Sequence, residues 1–456
     1  MLRIVNPATG IEIAALDSDT VPTIAGKLAA ARAAQPAWAA TAVDARRAAV
    51  ARFRDRLVAD VEPLARTLSE EMGKPIAQAR GEIGATAGRL DFFLQHVAAV
   101  CADEMVFDDG GMTERIAWQP LGVVANVSAW NYPYFVGLNV IAPALLAGNA
   151  VLYKPSEFAT RSGLAIVERL HAAGVPADVL HAVVGDGAVG AALVAADVDA
   201  IFFTGSYPTG VRIARAAAER LLRVQLELGG KDPIYVCDDA PIDAVAASVA
   251  DGAFYNTGQS CCAVERIYVQ RAVAPRFIEA FVEQVRGFRV GDPLDDATYI
   301  GPLTRAAQLD VLAAQVADAT AHGARVLSGG ESLAGAGNWF APTVLGDVTH
   351  AMAVMRDESF GPLIGIQVVA DDTEAARLMR DTAYGLTAGV YTPDQGRAER
   401  ILSGLPVGSA YWNCCDRVSP RLPWSGRRHS GLGLTLSTHG IRAFLQPKAW
   451  HLRAPS

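Results

Sequence analysis

From Gly122 to Gly230 the chain alternates short apolar runs with stretches of helical spacing. In order these are VVANVSA, Val136 to Ala147, AVLYKP, Gly163 to Ala173, HAVVG, IFFTGS, Val211 to Leu222 and RVQLELGG. Parallel strands need a crossover between them, usually a helix, so this alternation restricts the fold to a doubly wound parallel sheet. The fold class is therefore α/β, with a Rossmann-type sheet. Such sheets take their ligands beyond the carboxyl ends of the strands. The positions to read are Trp130-Asn131, Lys154 to Glu157, Gly185 to Gly190 and Gly205 to Gly210.

A second alternation runs from Pro233 to about Gly431. It contains helices near Pro275 to Gly287, Thr304 to His322 and Thr373 to Thr382, and the strand IGIQVV. At 456 residues the chain exceeds one simple core, and two or three domains are expected. Residues 4–14 read as a hairpin turning at Pro7 to Gly10. Alanine-rich helices follow from about Pro22 to Val100, broken at Gly73-Lys74-Pro75. Residues 105–119, with Gly110-Gly111 at the turn, read as a projecting hairpin, and Ile441 to Arg453 as a strand that could pair with another subunit.

A net charge of −8 with no basic block argues against nucleic acid or an anionic membrane as partner. No secretory signal is visible in residues 1–20, and no apolar run is long enough to span a bilayer. Six cysteines, two pairs of them adjacent, suit reduced thiols in a cytoplasm, and no spacing suggests a metal site.

The reactive stretch is FYNTGQSCCAVER, residues 254–266. A helix from Pro241 to Phe254 precedes it, with Gly258 as a stop, and Ile267 to Val269 reads as a strand. Cys261 and Cys262 then lie on a loop after a helix C-terminus, which cannot lower a thiol pKa. A proton acceptor is needed, and Glu227 is the candidate. Two glycine loops compete for a phosphate. Gly185-x-Gly187-x-x-Gly190 matches a dinucleotide fingerprint but lacks the following acidic residue. Phe203-Thr204-Gly205-Ser206 through Gly210 precedes a helix starting near Thr209; its bland alternative is a tight turn with a serine cap. Lys154 and Glu157 follow another strand. A carboxylate at Glu157 suits ribose hydroxyls and repels a 2′-phosphate, favouring NAD while leaving NADP open.

Together the motifs resemble the aldehyde dehydrogenase superfamily over nearly the whole chain. The matching pieces, in order, are Trp130-Asn131-Tyr132-Pro133, Lys154-Pro155-Ser156-Glu157, Phe203-Thr204-Gly205-Ser206, Glu227 to Lys231, Gly258-Gln259-Ser260-Cys261 and Glu358 to Pro362. The resemblance implies a cysteine nucleophile at Cys261, an oxyanion donor at Asn131 and a general base at Glu227. It implies cofactor contacts from Trp130, Lys154, Ser156, Glu157, Gly185, Phe203, Thr204, Gly205, Ser206, Leu228, Glu358 and Phe360. Family members that pass the acyl group to coenzyme A usually lack the glutamate, so hydrolysis to an acid is implied here. The implied domains are a cofactor domain (1–104 and 121–229), a catalytic domain (230–431) and an oligomerisation element (105–120 and 432–456), in a homodimer or homotetramer.

Tyr132, Tyr255, Ser260, Cys262 and Trp424 would line the aldehyde tunnel, favouring apolar or aromatic bulk. Trp424-Ser425-Gly426 stands where the family commonly has a phenylalanine and two glycines. Arg417 and Arg421 are either surface charges or partners for a substrate carboxylate, and Cys414-Cys415 reads as packing. Two rivals to the dehydrogenase are a cysteine hydrolase without redox chemistry and a silent binding protein of the same fold.

Overall fold

The computed structural model describes residues 1–455. Its first sheet has six strands in the order Gly431–Leu432, Arg223–Glu227, Ala200–Thr204, Val123–Val127, Ala150–Lys154, Leu180–Ala182, parallel except for the first. Helices cover both faces, so these strands are almost continuously apolar; Val124, Ala125, Val151, Leu152, Ala200 and Ile201 are wholly buried. From Val123–Val127 the chain winds outward to Leu180–Ala182, then crosses back to Ala200–Thr204 on the other side. That reversal opens a crevice at the carboxyl ends of Val123–Val127 and Ala200–Thr204.

The second sheet has seven strands in the order Arg325–Ser328, Thr343–Gly346, Leu363–Val369, Val264–Gln270, Asp232–Val236, Thr387–Tyr391, Ser409–Trp412, parallel except for the first. Only Leu228 to Lys231 separate the end of Arg223–Glu227 from the start of Asp232–Val236. Glu227 therefore stands where the chain passes from one sheet to the other.

A third, antiparallel sheet joins Leu445–Arg453, Met112–Pro120 and Glu104–Asp108. Its edge strand is exposed throughout, with Met105 60%, Val106 59% and Phe107 43% accessible. The N-terminal hairpin pairs Leu2–Val5 with Glu12–Leu16, and the helices Val61–Met72 and Ile76–Val100 part at Gly73, whose φ is +84°. Among the described residues no helix is long and apolar enough to cross a membrane.

Three local expectations change. The helix Ile242–Phe254 ends before Gly258, and Asn256 and Thr257, at φ 54° and 58°, make the reversal. The crossover helix begins at Tyr207 rather than Thr209. The segment read as strand from Ile441 is helical over Ser437–Arg442 and extended only from Leu445. Ile441 and Phe444 are buried in the first core, with Phe444 stacked on Phe202 at 4.2 Å between ring centres. A short apolar run does not reveal its period, and packing on the first sheet selects the helix.

Candidate active site

The left-handed pair Asn256-Thr257 folds the cysteine loop back on itself. Asn256 Nδ2 donates to the carbonyl of Gln259 at 2.9 Å and to that of Asn131 at 3.1 Å, tying the loop to the first sheet's crevice. Asn131 is buried, and its own Nδ2 donates to the Gln259 carbonyl at 3.1 Å. Its carbonyl also accepts from Lys74 Nζ at 2.7 Å. Lys74 is wholly buried, paired with Glu82, and lies 3.8 Å from the Tyr132 ring centre. Glu82 in turn accepts the Tyr134 N–H at 2.9 Å.

Half-buried Cys261 opens onto a cavity of about 350 Å³ that Glu227 and Thr204 also reach. Thr204 and Glu227 are paired in register at the ends of neighbouring strands. The Glu227 carboxyl titrates at about 7, raised by burial. Its Oε1 accepts from Thr435 Oγ1 and from Gln225 Nε2, the latter at 3.1 Å, and both donors pull the value back down. Tyr132, Tyr255, Ser260, Cys262 and Trp424 all wall this cavity. Cys262 donates to Asp416 at 2.9 Å, and its thiol is raised well above the usual range by its hydrogen bond with Cys261 and by burial.

The walls are more polar than the sequence implied, because Asp416, Asp251 and Arg89 also line them. Arg89 is buried, donates to Asn139 Oδ1 at 3.0 Å and lies 3.8 Å from the Phe135 ring centre. Burial pulls its guanidinium down to about 10. Arg417 reaches the cavity; Arg421 is exposed and does not. Cys415 is buried beside the Tyr391 hydroxyl, as a packing residue would be.

The crevice suits a dinucleotide. At the N-terminus of the helix Tyr207–Ala218 the Ser206 hydroxyl bonds Thr209 Oγ1 at 3.1 Å and caps no backbone N–H. The first-turn donors are thus left for an anion, as a phosphate requires. A Cβ on Gly205 would come within 2.5 Å of the Phe203 ring, and one on Gly210 within 2.7 Å of Leu228, so both glycines are needed for close packing. The Gly185 loop has a local use instead. Gly185 turns at φ +151°, and Asp186 caps the helix Gly187–Ala195 with its own carboxylate, at 2.9 Å from Ala188 N. An aspartate on those donors repels phosphate, which argues against this loop as the pyrophosphate site.

Lys154 is buried, its pKa lowered by burial, and its Nζ donates to the Pro155 carbonyl at 3.0 Å and lies 3.8 Å from Glu157. Ser156 Oγ donates to Glu157 Oε2 at 3.2 Å. Across the crevice Glu358 accepts the Gly230 N–H at 3.0 Å and titrates at about 7, raised by burial and by Glu265. Phe360 packs edge-on to Trp130 at 5.5 Å.

Several of these residues carried no motif in the sequence. Glu265 holds the Glu358 loop by accepting the N–H groups of Ser359 and Phe360 at 3.0 and 2.9 Å, with its charge met by Lys231 at 2.5 Å. Glu82 and Arg89, seven residues apart on one face of Ile76–Val100, could have been found as charges on an otherwise apolar stripe. Asp416, Thr435 and Gln225 offered no such signal.

The aldehyde dehydrogenase family model matches residues 1–450. The chain is 36% identical over 451 residues to a betaine aldehyde dehydrogenase of Cereibacter sphaeroides, covering 98% of this chain and 93% of the relative. It is 37% identical over 462 residues to betaine aldehyde dehydrogenase 1 of Rhizobium meliloti, with the same coverage. The fold superposes on an NADP-dependent enzyme of Escherichia coli with TM-score 0.96 at 32% identity, covering 99% of this chain and 95% of that one. It superposes on E. coli lactaldehyde dehydrogenase with TM-score 0.95 at 31% identity, again over 99% and 95%. A cysteine and a carboxylate that titrates near neutrality thus share one cavity beside a dinucleotide crevice, in a chain matched end to end by enzymes of one kind. This chain belongs to the aldehyde dehydrogenase family and oxidises an aldehyde with a nicotinamide dinucleotide, NAD or NADP, as acceptor.

Proposed function

We propose that the reaction is hydrolytic, prefers NAD, and runs on Cys261, Asn131 and Glu227. The observation that carries this is the shared cavity of Cys261 and Glu227, with Glu227 titrating at about 7. The Cys261 thiolate attacks the carbonyl carbon and forms a C–S bond. Asn131 Nδ2 has a second hydrogen beyond the one given to Gln259, and with the Cys261 backbone N–H it would receive the oxyanion. The bound dinucleotide supplies a hydride acceptor. Hydride loss from the tetrahedral carbon leaves a thioester on Cys261. Glu227 then takes a proton from water, the hydroxide attacks, and the acid leaves as the thiol re-forms.

Lys154, Ser156 and Glu157 would hold the adenosine ribose; Glu157 supports NAD because its carboxylate opposes a 2′-phosphate. Phe203, Thr204, Gly205 and Ser206 would flank the pyrophosphate, Leu228 backs Gly210, and Glu358, Phe360 and Trp130 would meet the nicotinamide half. The cofactor body would comprise 1–104 and 121–229 together with 430–444, and the catalytic body the seven-stranded sheet. The third sheet, with Met105, Val106 and Phe107 on its edge, supports a homodimer or homotetramer, and six free thiols suit a cytoplasm. Betaine aldehyde, named for the relatives above, carries a quaternary ammonium. The rings of Tyr255 and Trp424 suit a cation, so a cationic aldehyde is the substrate class.

The test is rapid mixing of enzyme, NAD and aldehyde. Cys261→Ala should bind NAD and form no NADH. Glu227→Gln should form one NADH per site and stall, whereas many fast turnovers in that variant, or dependence on coenzyme A, would sink the hydrolytic reading.

A further inference from the structure

The aldehyde cavity contains a carboxylate for which the reaction has no use. Asp416 stands in a loop whose backbone is left-handed at Asn413 and Asp416, φ 54° and 47°. Both of its protein donors, Ser260 Oγ at 3.1 Å and Cys262 Sγ at 2.9 Å, bond the same oxygen, Oδ1. Among the described residues Oδ2 has no donor. The two donors flank Cys261 in sequence, and Asp416 and Cys261 line the same cavity.

The other charges on these walls are engaged or peripheral. Among the described residues Asp251 also has one oxygen without a donor, but its partner is the Tyr299 hydroxyl, at 2.6 Å, outside the cavity wall, whereas Asp416 is bonded by the residues on either side of Cys261. Glu82 is paired with Lys74, and Arg89 is held by Asn139 and Phe135. Glu227 is the base. Arg417, beside Asp416 in the chain, is exposed. Burial raises the Asp416 carboxyl while Cys262, Ser260 and Arg417 oppose that rise, and an ammonium donating to Oδ2 would favour its ionised form.

A free carboxylate oxygen discriminates between cations. An ammonium that carries N–H can donate to it in a short charge-assisted bond, and a trimethylammonium cannot. Aromatic rings attract both. We propose that Asp416 accepts N–H from the substrate, so that this enzyme prefers a short aldehyde ending in a primary or secondary ammonium over one ending in a quaternary ammonium. The proposal rests on the reading that this cavity serves Cys261, and it separates this chain from the substrate named for its relatives.

The test is kcat/KM with NAD for 3-aminopropanal, its trimethylammonio analogue, butanal and a carboxylate-terminated semialdehyde. The wild type should rank the amine first, roughly tenfold or more above the trimethyl compound. Asp416→Asn should lower the amine roughly ten- to hundredfold and leave butanal within about twofold. A wild-type preference for the trimethyl compound or for the semialdehyde acid overturns the proposal, the latter in favour of Arg417. An equal loss on all four substrates in Asp416→Asn also overturns it, since Asp416 would then only position the cysteine loop. If Asp416→Asn does not fold, the wild-type ranking decides. Wild-type failure on all four, butanal included, brings down the Cys261 reading as well.

Discussion

Thr435→Val isolates the ionisation of the proposed base. Glu227 titrates at about 7 because burial raises it, while Thr435 and Gln225 donate to the same carboxylate oxygen and lower it. The base acts when ionised, so turnover limited by thioester hydrolysis should rise with pH through about 7 and level above it. Valine keeps the threonine outline and removes the donor, so the carboxylate is less stabilised and its pKa rises. A hydrogen bond to a charged group is worth roughly 1.5–3 kcal/mol, and one pKa unit corresponds to about 1.4 kcal/mol, so the midpoint should climb by about one to two units. At pH near 7 the ionised fraction then falls from about a half to between about a tenth and about a hundredth, a loss of roughly five- to fiftyfold in kcat. Activity should recover above about pH 9. The assay is kcat from about pH 5 to about pH 10, with an NADH burst at each pH to show that hydrolysis remains limiting. Thr435 also pairs its backbone with Trp424, at 2.8 and 2.9 Å. An unmoved midpoint with a uniform drop in kcat would mean that the residue acts through Trp424, and the reasoning about Glu227 would be wrong.

Three further outcomes follow from the geometry. Glu265→Gln weakens the acceptor that holds the Ser359 and Phe360 N–H groups, and NAD affinity by calorimetry should fall by about tenfold or more; an unchanged affinity would show that the Glu358 loop needs no such clamp. Glu157→Ala should shift the ratio of NADP to NAD efficiency upward by roughly tenfold, and an unshifted ratio in steady-state kinetics removes Glu157 from the ribose site. Phe202→Ala empties a fully packed position against Phe444 and should cost about 3–5 kcal/mol in denaturant unfolding; a loss under about 1 kcal/mol would show that the C-terminal helix is not anchored there.

Much of the architecture was legible because it is written in local periodicity. The apolar runs from Gly122 onward became strands that begin within a residue of the expected start and end up to three residues early, and the Gly110-Gly111 hairpin formed where its turn residues stand. The Gly185 loop shows the limit of a motif. Its glycine spacing fits a phosphate loop, and the capping Asp186 gives the same backbone donors to the protein itself. Asn256 tolerates left-handed backbone and is held in it by the carbonyls of Asn131 and Gln259, while Thr257 adopts it against the preference of a β-branched side chain.

The sequence by itself determined which chemical groups are present, the strand–helix alternation that brings them to strand ends, and hence the class of reaction. The tertiary structure alone decided how those groups ionise and what they face. Glu227 meets Thr435 only because Gly431–Leu432 returns to pair beside it, some two hundred residues later in the chain. Asp416 meets Ser260 and Cys262 across a separation of 156 and 154 residues. A pKa, and the free face of a carboxylate, depend on burial and on partners supplied by distant segments, and no local pattern encodes which segments those are.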